Sequence, residues 1–488
     1  MRRTGRVCGC AVAFAVVALW GVSAWGAAKG SKSAHADRGQ ELFEHVWLPG
    51  KDPQAAGDGL GPLFNERSCI ACHHLGGIGG GGPNQNNVVI LTAVVPGEVA
   101  SRESFQARLL DLHPGFGAGN SVVLHRFSAN APGYAAFRRG LLGAAASDEA
   151  PAGEPPSKRT IVPKDLTGPV KTLEVDGIEL KLAERNTTPL FGAVLIDAIP
   201  QAEIERIAVV ETLENPQVHG RFVGRFGWRG QLLRLAEFMR GACANELGLQ
   251  VSTDAQAIDP SAARNRPPHI PEFTPLDLTD KQCNEMTLFV SRLPMPRRVS
   301  PADHREAAAA HEGEHVFRTV GCAVCHRPAL GKVKGIYSDL LVHAMGSRLA
   351  DPMPSLLAAP VATPRVPMRS SYIGAPPPES STPVAADSYT RLQEWKTPPL
   401  WGLRDSGPYL HDGRAATVEE AITFHGGEAS DSADRYLALS SGDRDHLLAF
   451  LQTLAAPDPA TLPPLKQPAE ERRDAAAANK ASAVARGR

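Results

Sequence analysis

Two short segments of the chain share one arrangement of thiol and imidazole groups: CIACH at 69–73 and CAVCH at 322–326. In c-type cytochromes each thiol of a Cys-x-x-Cys pair adds to a vinyl group of haem, and the next histidine presents its imidazole to the iron. A zinc site or a thioredoxin-like redox pair also uses Cys-x-x-Cys, but neither explains a histidine directly after both pairs. The sequence therefore predicts two covalently bound haem c groups. The predicted attachment residues are Cys69, Cys72, Cys322 and Cys325, and the predicted proximal iron ligands are His73 and His326.

Three other features suggest ligand binding, but each is better explained without a further cofactor. The glycine run at 76–82 fits a dinucleotide-binding pattern in its letters, yet no strand precedes it and no obvious helix follows it. We interpret it as a tight loop, free of side chains, beside a bulky porphyrin. His74 is expected to contact a haem propionate or solvent. His311 and His315 are one helical turn apart and could bind zinc, but no third ligand is evident, which favours a structural role.

Each haem motif is preceded by a segment with a glycine and a phenylalanine four residues apart, a spacing that puts both on one face of a helix. The pairs are Gly39 with Phe43 and Gly313 with Phe317. A small residue beside an aromatic ring lets a second helix cross closely, as in cytochrome c folds. The sequence therefore predicts a mainly α protein with two cytochrome c-like haem domains, a small β excursion and long irregular loops.

The first 28 residues read as a signal peptide, with three arginines, an apolar stretch and a small-residue exit that suits cleavage after Gly26 or Ala28. The alternative is an uncleaved membrane anchor. We expect an exported, periplasmic chain with no stable membrane insertion after cleavage, because no later segment is apolar enough to span a bilayer. The 51 basic and 52 acidic residues nearly balance, which gives no indication of nucleic-acid binding.

Composition outside the motifs suggests the domain boundaries. Two segments are too rich in proline, serine, alanine or charge to pack, and we predict a Pro-rich surface insertion and a disordered tail there. The predicted division is a signal peptide at 1–28, an N-terminal haem domain at 35–300 with a β and helical insertion at about 160–250, a C-terminal cytochrome c domain at 301–456 with a Pro-rich insertion at about 359–388, and the tail at 457–488.

Two local patterns lie within the predicted N-terminal domain. The stretch LEVDGIELKL alternates around Asp176-Gly177 and predicts a β-hairpin that turns there. The stretch GQLLRLAEFMRGACANELGL predicts an amphipathic helix that contains Cys243. In an oxidising compartment we expect Cys243 to form a disulfide with Cys283, and two buried thiols are the alternative.

Six stretches together resemble one protein family. They are GLGPLFNERSCIACH, TTPLFGAVLIDAIP, FGWRGQ with ANELGL, GCAVCHRP, YSDLLVHAMG and EWKTPPLWGLRDSGPYLHDGRAATVEEAITFHGGEA. On these stretches the chain is similar to the bacterial di-haem cytochrome c peroxidase superfamily, and more closely to its di-haem oxidoreductase branch, which is sometimes labelled thiol oxidoreductase. The resemblance implies a six-coordinate C-terminal haem for electron transfer and an N-terminal haem that handles peroxide or oxygen.

The same resemblance implies the second ligand of the C-terminal haem. In the peroxidases a residue shortly after a His-Asp-Gly (HDG) segment, commonly methionine, is the second ligand of that iron. The HDG segment of this chain is at 411–413. The matching position here carries His425, which implies ligation by His326 and His425 and a lower reduction potential than a His/Met pair would give. Met345 is the alternative ligand. His343 is expected to contact a propionate, and His411 to lie near the second haem or between the domains.

The first haem departs from the family pattern. Peroxidases carry a distal histidine shortly after the first CxxCH, but the matching stretch GGPNQNNVVILTAVV contains none. Peroxide cleavage needs an open iron and a group that moves a proton between the two oxygens. The remaining candidates are His125 and His113 as distal residues, Glu98 and Glu103 as acid–bases, and Trp228 and Trp401 as electron relays.

The sequence therefore favours an exported di-haem oxidoreductase. A small redox protein, such as a cytochrome or a cupredoxin, would donate electrons at the C-terminal haem, and hydrogen peroxide or a similar small oxidant would be reduced at an open N-terminal haem. The alternatives are an enzyme on the same scaffold that oxidises an organic or protein substrate, and an electron carrier without catalysis. The peroxidases also bind calcium between their domains, and the resemblance leaves a calcium ion open here.

Overall fold

The computed structural model describes residues 34–94, 102–129, 131–142, 171–254, 256–263, 275–351 and 392–466. The predicted signal peptide, the Pro-rich insertion at 359–388, Glu98 and the last part of the tail lie outside these ranges. Helices are the main secondary structure, which confirms the prediction of a mainly α chain, and no helix in the described ranges could cross a membrane. The helices are α1 (34–44), α2 (Cys69–Cys72), α3 (Arg102–Leu112), α4 (Ala131–Leu142), α5 (Ala193–Ala198), α6 (Gln201–Glu214), α7 (Leu235–Glu246), α8 (Pro260–Ala263), α9 (Asp280–Ser291), α10 (His304–Val320), α11 (Val418–Thr423), α12 (Ser430–Ala438) and α13 (Ser441–Gln452).

The helix before the first haem motif crosses a later helix at its glycine. A methyl group on Gly39 of α1 would lie 2.0 Å from the carbonyl oxygen of Glu285 on α9, so a larger residue would push the helices apart. Phe43, one turn later, packs on Phe289 with ring centroids 5.3 Å apart. The predicted close crossing is therefore confirmed for the first motif.

The helix before the second motif repeats this crossing. A methyl group on Gly313 of α10 would lie 1.8 Å from the carbonyl oxygen of His446 on α13. Phe317 packs on Phe450, again with ring centroids 5.3 Å apart. Since both motifs follow the same glycine and phenylalanine contact, one local packing solution occurs twice in the chain.

Replacing Gly313 with Ala is expected to destabilise the protein by about 1–3 kcal/mol, because the added methyl group overpacks a helix crossing. Gly140 on α4 is the matched control, since nothing lies within 4 Å of a methyl group placed there. Gly140→Ala should be neutral or stabilise by up to about 1 kcal/mol through helix propensity. Denaturant unfolding of the two variants measures both changes, and equal stabilities would contradict the crossing.

A four-stranded antiparallel sheet in the order β3-β2-β6-β5 forms the β part of the first half. The predicted hairpin is confirmed: Asp176 and Gly177 have positive φ angles of 51° and 70°, which suits a tight two-residue turn between β5 and β6. The sheet reaches beyond the predicted insertion because it takes in β2 and β3. The strands are β1 (Leu63–Phe64), β2 (Val88–Ala93), β3 (Ser121–Val123), β4 (Phe127–Ser128), β5 (Lys171–Val175), β6 (Ile178–Arg185), β7 (Arg297–Arg298), β8 (Ala329–Leu330), β9 (Val333–Lys334), β10 (Val342–Ala344), β11 (Glu394–Lys396) and β12 (Leu454–Ala455).

The two halves of the chain share buried surface. β7, just before the boundary predicted at residue 300, pairs with β12 near the end of the described chain. One hydrophobic cluster combines residues from α1, α7 and α9 with Leu330, Leu340 and Trp401 of the second half. Trp401 lies against Gly192, where a methyl group would come 2.8 Å from the indole ring. The structure therefore gives Trp401 a packing role between the halves.

Two sequence predictions differ from the structure. Cys243 on α7 and Cys283 on α9 are both buried and unpaired, so the predicted disulfide is replaced by two thiols in the hydrophobic core. Burial raises the pKa of the Cys283 thiol to about 11. Residues 457–466, assigned to a disordered tail from their composition, instead contact α1 through hydrogen bonds such as that from Gln40 to the carbonyl of Pro464.

Candidate haem sites

The first motif forms one helical turn followed by its histidine. Cys69–Cys72 is a short helix, and the His73 amide donates to the carbonyl of Cys69, which places the imidazole beside the two sulfurs. Nδ1 of His73 lies 3.1 Å from the carbonyl oxygen of Gly80, an arrangement that leaves Nε2 for another partner. Burial lowers the pKa of His73 to about 4, so the ring is neutral and can act as a metal ligand. His74 next to it is exposed.

The second motif has the same local structure. The His326 amide donates to the carbonyl of Cys322 at 2.9 Å, and Nδ1 of His326 lies 3.0 Å from the carbonyl oxygen of Tyr337. Burial again lowers the pKa of the histidine to about 4. His311 and His315 on the preceding helix α10 are exposed.

His425 lies opposite His326, as the resemblance implies. Their ring centroids are 6.4 Å apart, and Nδ1 of His425 lies 2.9 Å from the carbonyl oxygen of Ala421 on α11. Burial lowers the pKa of His425. Met345, the alternative ligand, packs against a cluster that contains Trp395 and Phe424.

His343 does not have the free ring nitrogen that a propionate contact would need. Its Nε2 lies 3.0 Å from Asp339 and its Nδ1 lies 2.9 Å from Glu428, so both nitrogens face carboxylates of the protein. Burial alone would lower the pKa of His343, but the neighbouring Asp339 carboxylate outweighs it and raises the pKa well above its usual range. The predicted propionate contact is therefore wrong: His343 links two acidic side chains beside Cys325.

Lys396 on β11 is a buried cation close to this cluster. Only 9% of the residue is exposed, and its ammonium has no hydrogen-bond or ion-pair partner within the described ranges. Burial lowers the pKa of Lys396 to about 8, although Asp339 acts in the opposite direction. A buried ammonium without a partner needs an anion for compensation.

His113 and His125, the predicted distal histidines of the first site, both have partners within the protein. His113 is buried between the rings of Phe116 and Phe137, with centroids 6.2 and 6.0 Å away, and its Nδ1 accepts from the Gly115 amide. His125 places Nε2 2.8 Å from the carbonyl oxygen of Asn245. Among the described residues, no hydrogen bond or ring contact joins either histidine to the first motif. Burial lowers their pKa values to about 3 and about 4, so both rings are neutral.

Glu246 is the acidic residue that the sequence interpretation missed. It is the last residue of α7, and its backbone carbonyl accepts from the amide of Asn65, four residues before Cys69. Asn65 also donates to Oε2 at 2.7 Å, while Oε1 is buried without a partner in the described structure. Burial raises the pKa of Glu246 to about 7, and its charge in turn raises the pKa of Cys72. Glu103, an earlier candidate, is exposed on α3.

Three asparagines connect the first site to the His-Asp-Gly turn at 411–413, here called the HDG turn, which precedes His425. Asn84 and Asn87 donate to the carbonyls of Gly413 and Asp412 at 3.1 and 2.9 Å. The Asn186 amide donates to the carbonyl of His411 at 2.7 Å, which places His411 between the halves as expected. The indole of Trp228 donates to the carbonyl of Asn186 at 2.8 Å.

Trp395 is the second aromatic residue at this junction. It stacks on His411 with ring centroids 3.6 Å apart and a 10° angle between the planes. The guanidinium groups of Arg229 and Arg185 lie 4.0 and 5.0 Å from its ring centre. Two cations therefore lie over Trp395, whereas no such contact is found for Trp228 within the described parts of the chain.

Comparison with known proteins matches one segment of the second half to a protein family. Residues 384–454, which include Lys396, His411 and His425, match the family described as "Di-haem oxidoreductase, putative peroxidase". This segment of the chain is similar to the di-haem oxidoreductase family. The printed descriptions of the family and of the relatives below are those of di-haem oxidoreductases and cytochrome-c peroxidases.

Curated relatives match parts of the chain. The methylamine utilization protein MauG of Methylorubrum extorquens is 40% identical over 77 residues, which is 14% of this chain and 22% of MauG. The cytochrome-c peroxidase IdrP2 of Denitromonas iodatirespirans is 24% identical over 266 residues, which is 49% of this chain and 66% of IdrP2. The chain thus spans less than two thirds of the length of each of these relatives. The diheme peroxidase BthA of Burkholderia thailandensis aligns with a TM-score of 0.28 and 16% identity, over 54% of this chain and 75% of BthA.

The residues of the second site fit the family's haem. The imidazole centroids of His326 and His425 lie 6.4 Å apart, a separation at which a nitrogen of each ring could bind one metal ion. His326 and His425 are both partly exposed, so their rings are accessible to a ligand. Lys396 would supply a buried positive charge for a haem carboxylate. The first site offers the same combination of two partly exposed thiols and a neutral, partly exposed histidine.

Proposed function

We propose that this protein is an exported di-haem oxidoreductase in which electrons enter at the second haem and reduce hydrogen peroxide at an open first haem. The reduction consumes two electrons and two protons and releases two water molecules. Glu246 carries the proposal: it is a carboxyl near Cys72, with one oxygen unpartnered and a pKa raised to about 7 by burial. A group of this kind can hold and release a proton near neutral pH.

The cofactor assignment follows from the two motifs. When bound, each haem supplies an iron that exchanges electrons, and at the first site an open coordination position for the oxidant. Carbonyl groups of Gly80 and Tyr337 hold the two proximal histidines in one orientation. The proposed attachment residues are Cys69, Cys72, Cys322 and Cys325, with His73 and His326 as proximal ligands and His425 closing the second iron.

Glu246 is proposed to move the proton between the two peroxide oxygens. As a carboxylate it accepts a proton from one oxygen of the bound peroxide. As a carboxylic acid it then donates that proton to the other oxygen, which leaves as water. The hydrogen bond from Asn65 to Oε2 fixes the carboxyl group and leaves Oε1 to exchange protons. Glu246, at the end of α7, would take the place of the distal histidine that is missing from the stretch GGPNQNNVVILTAVV.

Trp228 is the proposed relay between the haems. Its indole donates a hydrogen bond to the carbonyl of Asn186. The backbone amide of Asn186 in turn donates to the carbonyl of His411, in the turn before α11. Trp395 is the poorer relay, because the two guanidinium groups over its ring destabilise the positive charge that an electron-donating indole acquires.

Replacing Trp228 with Phe is expected to slow electron transfer between the haems while both absorption spectra are retained. Phe keeps an aromatic ring but is harder to oxidise than an indole. Flash reduction of the second haem, followed by the absorbance of the first, measures the rate. Trp395→Phe is the matched control and should transfer electrons at the wild-type rate; a slower rate in Trp395→Phe alone would assign the relay to Trp395.

The partner and the compartment are further parts of the proposal. The electron donor is a small redox protein, a cytochrome or a cupredoxin, in the periplasm. Calcium between the halves stays an expectation of the family resemblance.

Electron spin resonance combined with turnover tests the proposed function. The full chain should give one high-spin ferric signal that peroxide changes, one low-spin signal, and peroxide consumption that depends on a reduced cytochrome or cupredoxin. Two low-spin signals that ignore peroxide and cyanide would leave an electron carrier. A signal that responds to peroxide without donor-dependent consumption would favour oxidation of an organic or protein substrate.

A further inference from the structure

The segment at 456–466, here called the C-terminal strap, leaves the second half of the chain and crosses the first. Its start is fixed by Asp405, which accepts a hydrogen bond from the Ala456 amide at 2.8 Å. Its end is fixed on α1, where the Lys466 amide donates to Glu44 at 3.0 Å and the Lys466 ammonium donates to the carbonyl of Asp37 at 2.8 Å. The strap therefore spans from the C-terminal half to the helix before the first haem motif.

Between these ends the strap contacts the glycine run that follows His73. Gly77 has a φ of +121°, and a methyl group there would lie 2.2 Å from a methyl carbon of Leu462. Gly76 has a φ of +77°, and a methyl group there would lie 2.7 Å from Ala456. Both backbone conformation and space restrict these positions to glycine. Gly76 and Gly77 accommodate the strap, and the porphyrin contact expected for the glycine run stays a prediction.

The loop under the strap carries the hydrogen-bond partner of His73. The Gly80 amide donates to the carbonyl of Gly77 at 2.9 Å, and the Gly79 amide donates to the carbonyl of His73 at 3.0 Å. The carbonyl of Gly80 then lies 3.1 Å from Nδ1 of His73. Leu462 is thus connected to the imidazole of His73 through Gly77 and Gly80. Those three residues, His73, Gly77 and Gly80, lie in one short loop, and Leu462 packs on it from the strap.

We propose that Leu462 is a positioning residue for the proximal ligand of the first haem. By packing on Gly77 it holds the Gly80 carbonyl in line with Nδ1 of His73. That hydrogen bond fixes the orientation and basicity of the imidazole, which is how partners outside the ligand set tune a metal. The second half of the chain thereby influences the first haem without a direct contact to it. This inference rests on the proposed haem attachment at the first motif.

Leu462→Ala in the full-length holoprotein tests the inference. We expect cyanide to bind the ferric first haem roughly tenfold faster or slower than in the wild type, the scale of effect that outer partners have on metal sites. The high-spin signal should change and the low-spin signal of the second haem should not. Leu462→Met, which restores the packing volume, should return both quantities to the wild-type values.

Lys466→Ala is the matched control, because it removes the ammonium contacts to α1 and leaves Leu462 in place. It should bind cyanide at the wild-type rate. A wild-type rate in folded Leu462→Ala, an equal change in Lys466→Ala, or an equal change at both haems would overturn the inference. Absence of haem from the first motif in the wild-type chain would instead refute the proposed function, so the two failures are distinguishable.

Discussion

Replacing Glu246 with Gln is expected to lower peroxide turnover by about 10²–10⁴-fold, the contribution of a positioned acid–base group. The amide oxygen of Gln can still accept the hydrogen bond from Asn65, so the end of α7 should keep its place. The amide cannot exchange a proton near neutral pH. Steady-state consumption of peroxide with a reduced donor measures the loss, and an unchanged high-spin signal shows that the first haem is retained.

The pH profile separates proton transfer from a simple charge effect. Because the pKa of Glu246 is raised to about 7 by burial, the carboxylate that accepts the peroxide proton is lost as the pH falls below about 7. Wild-type turnover should therefore rise with pH through this range, whereas the residual activity of Glu246→Gln should not follow this titration.

Glu66→Gln is the control for this prediction. Glu66 also raises the pKa of Cys72, but its carboxylate forms an ion pair with Arg126 at 3.0 Å and is partly exposed. We expect Glu66→Gln to keep most of the turnover and the pH profile. An equal loss in both variants, or full activity in Glu246→Gln, would contradict the assigned role of Glu246.

Replacing His425 with Ala is expected to remove the low-spin signal of the second haem. The imidazole lies across from His326, and Ala leaves that coordination position to water or to another side chain. His425→Met should keep a six-coordinate haem and raise its reduction potential, because thioether ligation favours the reduced iron. Optical spectra and a redox titration of the two variants measure these changes.

Met345→Ala is the comparison variant for His425. Met345 packs near Phe424 and Trp395, and its loss should leave the low-spin signal in place. A low-spin signal that survives His425→Ala and disappears in Met345→Ala would reverse the ligand assignment.

Short-range sequence patterns were sufficient for the local geometry of this chain. The spacing of Gly313 and Phe317 predicts a close helix crossing because residues four apart share a helix face. Asp176-Gly177 predicts the hairpin because both residues tolerate positive φ angles. The position of His425 opposite His326 followed from the family resemblance, since more than ninety residues separate them in the sequence.

The features that were missed depend on tertiary contacts. Glu246 is the last residue of a helix whose amphipathic pattern predicts only that its apolar face is buried. Its carboxyl group lies in the interior because Asn65, far away in the sequence, binds it there. The strap has the composition of a disordered segment and is ordered by Gly77 and α1, which are far away in the sequence. The family resemblance predicts that His343 contacts a haem propionate, but both of its ring nitrogens contact protein carboxylates, those of Asp339 and Glu428.

The mass of the denatured, full-length protein tests the central claim most directly. After expression with a competent cytochrome c maturation system, the polypeptide should carry two covalently attached haem groups, and replacing both cysteines of either motif with Ser should remove one of them. A wild-type chain with the mass of the bare polypeptide, and with no haem absorbance after denaturation in alkaline pyridine, would contradict the account.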